Sequence, residues 1–191
     1  MNKVFTVIAA ALLLSFTVFE GPSWKADSVH SRFGFSVNHL GIANFNGSFK
    51  EYQLTVKGNA ADLTDAVVEL TASTGSINTD NQMRDEHLKG ADFFDAAKYP
   101  QFTFKSTSFK KAKGKEYNVT GELTLHGVTK PIVLTATVVG TAVHPQSKKE
   151  MVGLKVSGVI KRSDFGIGAG FPAPMLGDEV TIAGDFEFVK E

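Results

Sequence analysis

Cysteine is absent from the 191 residues. Its absence excludes thiolate nucleophiles, Cys-ligated zinc, iron–sulfur clusters, disulfides and a lipoprotein-type acyl anchor. An excess of either charge is missing as well. Lys and Arg total 20, Asp and Glu total 20, and the formal net charge is +0 at pH 7, so nothing in the balance draws the chain to nucleic acid or to an acidic membrane surface. Aromatic residues with a polar tip are scarce: one Trp and three Tyr stand against 16 Phe. That ratio suits a dry interior, because a phenyl ring carries no group that needs a hydrogen-bond partner.

A long hydrophobic run occurs at Val4 to Phe19, short of the roughly 20 apolar residues that cross a bilayer. Lys3 precedes it and Ile8, Ala9, Ala10, Ala11, Leu12, Leu13 and Leu14 form its centre, the layout of a secretory signal. No Ala-x-Ala box follows; Ser15 with Thr17, or Gly21 with Ser23, are the nearest small pairs. The expected division is a signal peptide over 1–23 and one barrel domain over 24–191, periplasmic or secreted, with no stable membrane insertion once the signal is removed. An uncleaved anchor or a buried first strand is the alternative.

What the rest of the chain has is alternation. Between Val29 and Val189 eight runs place apolar residues at every second position, clearest at Phe33, Phe35 and Val37; at Tyr117, Val119, Leu123 and Leu125; at Ile132, Leu134, Ala136 and Val138; and at Val180, Ile182, Phe186 and Phe188. This is strand period, and it predicts an all-β chain folded as a closed eight-stranded antiparallel barrel, a size able to hold one small ligand. Asn46-Gly47, Lys57-Gly58-Asn59, Lys113-Gly114-Lys115, His126-Gly127 and Gly140 read as the turns of a meander. Gly34, Gly121, Gly158 and Gly184 fall inside strands, where they bend the sheet or leave room in the bore.

One interval breaks the rhythm. Between Thr79 and Tyr99, Asp80 is placed to cap a short helix carrying Met83, Arg84, His87 and Leu88, and Gly90 to end it. Asp92 is placed to cap a second turn bearing Phe93 and Phe94, stopped at Tyr99-Pro100. Such a helical insert plugs or lids one end of a barrel.

Catalytic and metal chemistry find little support. His30, His39, His87, His126 and His144 lack ligand spacing, and Asp85 with His87 face different ways on a helix. Ser31, Ser76 and Ser106 lack a nucleophile elbow. The stretch Gly166-Ile167-Gly168-Ala169-Gly170 lacks the Lys-Ser/Thr of a phosphate loop and reads as a mobile loop. No cofactor is expected.

Several ordered segments carry a resemblance. Asp27 to Phe35 with His39, Gly47-Ser48-Phe49, Ser76 to Thr79, Arg84 to Leu88, Asp92 to Asp95, Tyr99-Pro100, Phe102-Thr103-Phe104, Gly121 to Pro131 and Arg162 to Gly166 resemble the YceI-like family, over nearly all of the chain after Trp24. The resemblance implies an exported, lipocalin-like barrel that binds polyisoprenoids or other long-chain amphiphiles, often as a homodimer, without established enzymatic activity.

Parity nominates the lining residues: Phe35, Val37, Phe49, Leu70, Phe102, Phe104, Val119, Leu123, Leu134, Val156, Ile182 and Phe186. On the insert, Arg84 and His87 could hold a head group, or Arg84 could pair with Asp92 or Asp95 and fasten the insert. The expected function is binding of a polyisoprenoid, isoprenoid quinone or fatty-acid-like amphiphile as a carrier or storage protein, and not catalysis. Two alternatives stand beside it: a stress-response or interaction module with a filled barrel, and an enzyme acting on a lipid through Arg84, Asp85 and His87.

Overall fold

Strand-period sequence becomes antiparallel sheet in the computed structural model, which describes residues 21–59 and 62–191. The signal-like run through Glu20 lies outside the described residues. The strands are β1 (Ser23–Ala26), β2 (Arg32–His39), β3 (Ala43–Phe49), β4 (Tyr52–Asn59), β5 (Asp62–Ser73), β6 (Ile77–Asn78), β7 (Gln101–Lys111), β8 (Glu116–Leu125), β9 (Val128–Val143), β10 (Glu150–Lys161) and β11 (Leu176–Lys190), with one helix, α1 (Gln82–Lys89), between β6 and β7.

Eight of them close a ring in the order β1-β4-β5-β7-β8-β9-β10-β11, and β11 returns to β1. The long β11 serves two partners: its end, Phe188 to Lys190, pairs with β1, and its stretch up to Asp185 pairs with β2. From β2 the wall continues through β3 to β6, so one end is a complete ring and the other is finished by α1 and the turns after it. The closed eight-stranded barrel matches the expectation, whereas the meander holds from β4 to β11 apart from short β6 and is broken where β1 pairs with β4 and β2 with β11. Alternation explains the interior: β7 buries Phe102, Phe104 and Ser106 while Thr103, Lys105 and Thr107 face out.

The ring closes earlier in the chain than the alternation suggested. Val29 is 82% exposed, whereas Trp24, ahead of it on β1, is 2% exposed and donates from Nε1 to the Gly58 carbonyl at 2.8 Å. A four-residue strand with one apolar anchor has too few periods to stand out. Between β1 and β2, His30 Nδ1 lies 2.8 Å from the Asp27 carboxylate. That hydrogen bond holds the imidazole above its ordinary pKa and Asp27 below the usual carboxylate value. The pair therefore stabilises the loop between the ordinary carboxylate and imidazole pKa values, and the contribution fades as pH falls through the lowered Asp27 value or rises through the raised His30 value. An NMR titration should show the His30 midpoint fall toward the ordinary value in Asp27→Asn; an unchanged midpoint would remove the pair from the account.

Several turn assignments move. Asn46-Gly47 lies inside β3, where Gly47 faces the Phe35 ring so closely that a Cβ would overlap it; this glycine serves close packing. The β2–β3 turn is instead at Leu40 and Gly41, both left-handed with φ of 56° and 71°. Gly140 sits within β9 opposite Gly153, next to a register shift, and is a bulge site. Lys113-Gly114 and His126-Gly127 are turns as expected, with left-handed Gly114, His126 and Gly127. The strand glycines give room inside: a Cβ on Gly121 would strike the Phe104 ring, and one on Gly184 the Phe186 ring.

Helix α1 starts one residue later than expected. Asn81, not Asp80, is the N-cap and accepts from Arg84 N, while Gly90 ends the helix. Asp80 is left-handed, and this turn aims the Asn81 side chain at the free amides. Turns follow at 91–94 and 96–98, the first of them carrying Phe93 and Phe94 as expected. Asp92 contributes its carbonyl, accepting from Gly168 N at 2.9 Å.

Candidate functional site: the barrel cavity and its mouth

Inward side chains of β2 through β11 leave a cavity of about 350 Å³, within the roughly 300–1,000 Å³ range of small-molecule pockets. Every lining residue nominated by parity borders it: Phe35 and Val37 on β2, Phe49 on β3, Leu70 on β5, Phe102 and Phe104 on β7, Val119 and Leu123 on β8, Leu134 on β9, Val156 on β10, and Ile182 and Phe186 on β11. Arg84 and His87 border it too. The rings are mutually packed; Phe49 meets Phe102 at 4.7 Å and Phe94 at 5.7 Å between centroids.

Polarity is segregated. The polar members of the lining are His39, Asn46, Thr79, Arg84, His87 and Arg162, and they come from β2–β3, the connection between β6 and α1, α1 itself and the segment after β10. Among them Asn46 and His87 are exposed, as is Met175, a further lining residue, at 45%. The cavity therefore opens at this end.

Arg84 is held by geometry that periodicity could not reveal. Its Nε donates to the Thr79 hydroxyl at 2.8 Å and a terminal nitrogen donates to the Thr79 carbonyl at 2.6 Å. The hydroxyl in turn donates to buried Asp85 at 2.5 Å, and Thr79 N donates to the same oxygen at 2.8 Å. The guanidinium lies 4.7 Å above the Phe45 ring, with His39 stacked on that ring at 4.6 Å. Neither Asp92 nor Asp95 pairs with it, so the ion-pair fastening weighed from sequence does not occur among the described residues. A guanidinium has five N–H donors; Thr79 takes two, and the others have no protein acceptor among the described residues.

Arg162 is the second cation, 7% exposed, and it is saturated. Nε donates to the Gly177 carbonyl, one terminal nitrogen to Ile167 and Gly168, and the other to Phe171 and Leu176, at 2.5–3.1 Å. Five donors meet five carbonyls. The glycine-rich loop expected to be mobile is thus latched at the mouth, with Gly166 and Gly168 in left-handed conformations. Asp178 finishes the latch by accepting from Ser163 N and Oγ, bonds that depress its pKa.

The remaining histidines lie apart. His126 Nδ1 donates to the Phe165 carbonyl at 2.9 Å, His144 accepts from the amides of Gln146 and Ser147, and His87 sets its ring edge-on to Phe93 at 5.0 Å. Asp85 is turned to Thr79, so it and His87 form no acid–base pair.

Sequence reasoning missed Phe45, Phe93, Phe171, Thr79 and Arg162 as lining residues. Phe45 was within reach, because it shares parity with Phe49 across Gly47. Arg162 carried no periodic signal, since its role comes from carbonyls 5 to 15 positions away.

Comparison with known proteins agrees with this architecture. The Protein YceI of Escherichia coli O157:H7 is 39% identical over 160 residues, covering 83% of each chain, and that of Salmonella arizonae is 40% identical over 138 residues, covering 72% of this chain and 71% of the relative. The crystal structure of the Campylobacter jejuni YCEI protein superposes with a TM-score of 0.75 at 31% identity, covering 100% of this chain and 99% of the other. A Saccharophagus degradans protein described as a polyisoprenoid binding domain shares the fold, with a TM-score of 0.65 at 16% identity over 88% of this chain and 98% of the other. With the profile of the YceI-like domain matching residues 24–188, the chain belongs to the YceI-like domain family.

Proposed function

We propose that this protein binds one long-chain amphiphile, a polyisoprenoid, isoprenoid quinone or fatty-acid-like molecule, in its barrel and acts as a carrier or storage protein in the periplasm or outside the cell. The observation that carries the reading is the segregation of the cavity: phenylalanine and aliphatic walls inside, with arginine, histidine and threonine only at the open end. Each buried methylene contributes about 0.8 kcal/mol, so one isoprene unit adds roughly 3 kcal/mol before ordering costs. The likeness in fold to the S. degradans polyisoprenoid binding domain supports this ligand class. An interaction module with a filled barrel is disfavoured by the cavity volume. Lipid catalysis is disfavoured because Asp85 and His87 are engaged separately.

Organic extraction of protein purified from a bacterial host, followed by mass spectrometry, tests the reading. Stoichiometric prenyl lipid, quinone or fatty acid is expected; a consistently empty barrel overturns it. The finer assignment gives Arg84 the head group, since its unpaired donors form a planar fork that lysine cannot reproduce. Arg84→Lys should weaken binding of a prenyl phosphate about tenfold while shifting the melting temperature by less than about 3 °C. A lowered melting temperature with affinity intact in the folded fraction refutes the clamp.

A further inference from the structure

Beside the lining residues His39, Arg84 and Met175 the fold leaves large apolar side chains in water. Leu40 is 51% exposed, Ile42 85%, Met83 84% and Met175 45%. They belong together: Leu40 N donates to the Met175 carbonyl at 3.1 Å, Ile42 completes the same β2–β3 turn, and Met83 precedes Arg84 and shares a helix face with His87 four positions on. Solvent-exposed leucine in a left-handed turn is doubly unfavourable, because Asn or Gly accepts that conformation more readily and neither exposes a hydrocarbon. Two of the three segments that carry the rim are also free of charge, whereas α1, which carries Met83, bears Arg84, Asp85, Glu86 and Lys89. Residues 33–49 and 167–177 contain no Asp, Glu, Lys or Arg, in a chain that is 21% charged.

We propose that this rim docks on a phospholipid bilayer, with Leu40, Ile42 and Met175 entering the boundary between head groups and acyl chains and the cavity mouth facing the membrane. Three features select a bilayer over a folded partner. The rim is continuous with a cavity whose proposed cargo resides in membranes, and the inference rests on that reading of the cavity. The Leu40–Ile42 turn and the Met175 segment, which enter the interface, lack carboxylates that would repel lipid phosphates. The Arg84 donors left free by Thr79 stand just inside, where a phosphate can accept from them. Apolar tips of this kind insert a few ångströms into the interface without spanning it.

The test uses the purified protein and the variant Leu40→Asn/Ile42→Asn. Asn tolerates the left-handed position, so the fold and melting temperature should be retained. Co-sedimentation with phosphatidylcholine–phosphatidylglycerol vesicles should fall by about tenfold or more in the variant, since two apolar side chains are withdrawn from the interface. Delivery of geranylgeraniol from those vesicles should slow by a similar factor, while its uptake from methyl-β-cyclodextrin stays unchanged. Wild-type protein that ignores vesicles, or equal sedimentation of the two proteins, overturns the proposal. So does a change confined to oligomeric state in light scattering, which would give the rim to a second copy of the chain. Failure of both proteins to take geranylgeraniol from cyclodextrin counts against the cavity reading alone, because vesicle sedimentation judges the rim by itself.

Discussion

Arg162→Lys is expected to lower the unfolding free energy by roughly 2–6 kcal/mol, the cost of leaving at least two buried carbonyls without donors at about 1–3 kcal/mol each. Arg162 serves the carbonyls of Ile167, Gly168, Phe171, Leu176 and Gly177, and an ammonium offers three donors where the guanidinium offers five. No carboxylate hydrogen-bonds Arg162, so the desolvation of a permanent cation is offset chiefly by carbonyl dipoles, with the Asp178 charge acting through space. Losing part of that cage makes the rest unfavourable. The loss should first appear locally. Amide exchange at Gly168, whose N–H is bonded to Asp92, should accelerate before the barrel opens, and the transition midpoint in urea should move to lower concentration. A loss under about 1 kcal/mol would show that the loop is held by its apolar contacts, with Phe93 and Phe171 packed at 4.9 Å.

The second large effect concerns the wall of the cavity. Leu123 is 4% exposed and borders the cavity between Val119 and Leu125, while Thr124, one residue on, bonds Thr129 Oγ1 at 2.8 Å on the other face. Leu123→Arg should unfold the protein or abolish ligand uptake, because the cation has no carboxylate inside the bore and an unpaired buried charge costs several kcal/mol. Thr124→Arg should cost under about 1 kcal/mol, as a solvated surface change does. Thermal melts and extracted-lipid content of the two proteins check the pair. Equal effects would contradict the inward and outward faces seen in β8.

How much of the site was legible follows from which interactions have a local signature. Phe102 and Phe104 on β7, or Ile182 and Phe186 on β11, could be placed on one face from the chain alone, since alternate side chains of a strand must share a side. The cap of α1 was misplaced by one residue because Asp80 and Asn81 are both good capping types, and only the left-handed turn at Asp80 decides between them. Arg84 stands out in the sequence, where the protein partners on offer beside a ligand head group are the carboxylates of Asp92 and Asp95. The structure instead supplies the hydroxyl and carbonyl of Thr79. A backbone carbonyl looks the same at every position of a sequence, so a residue that binds carbonyls leaves no trace in residue types.

By itself the sequence determined the strand period, the identity of the wall and the dryness of the interior, because these depend on residue type and parity. Tertiary structure alone decided where the ring closes, through Trp24 on a four-residue strand, and how β11 divides its edge between β1 and β2. It also decided that the barrel holds a cavity of about 350 Å³ instead of a filled core. The physical reason is that volume is a small difference between the space enclosed by the strands and the side chains packed into it. Rings laid across Gly121 and Gly184 change that difference without changing the pattern of apolar positions.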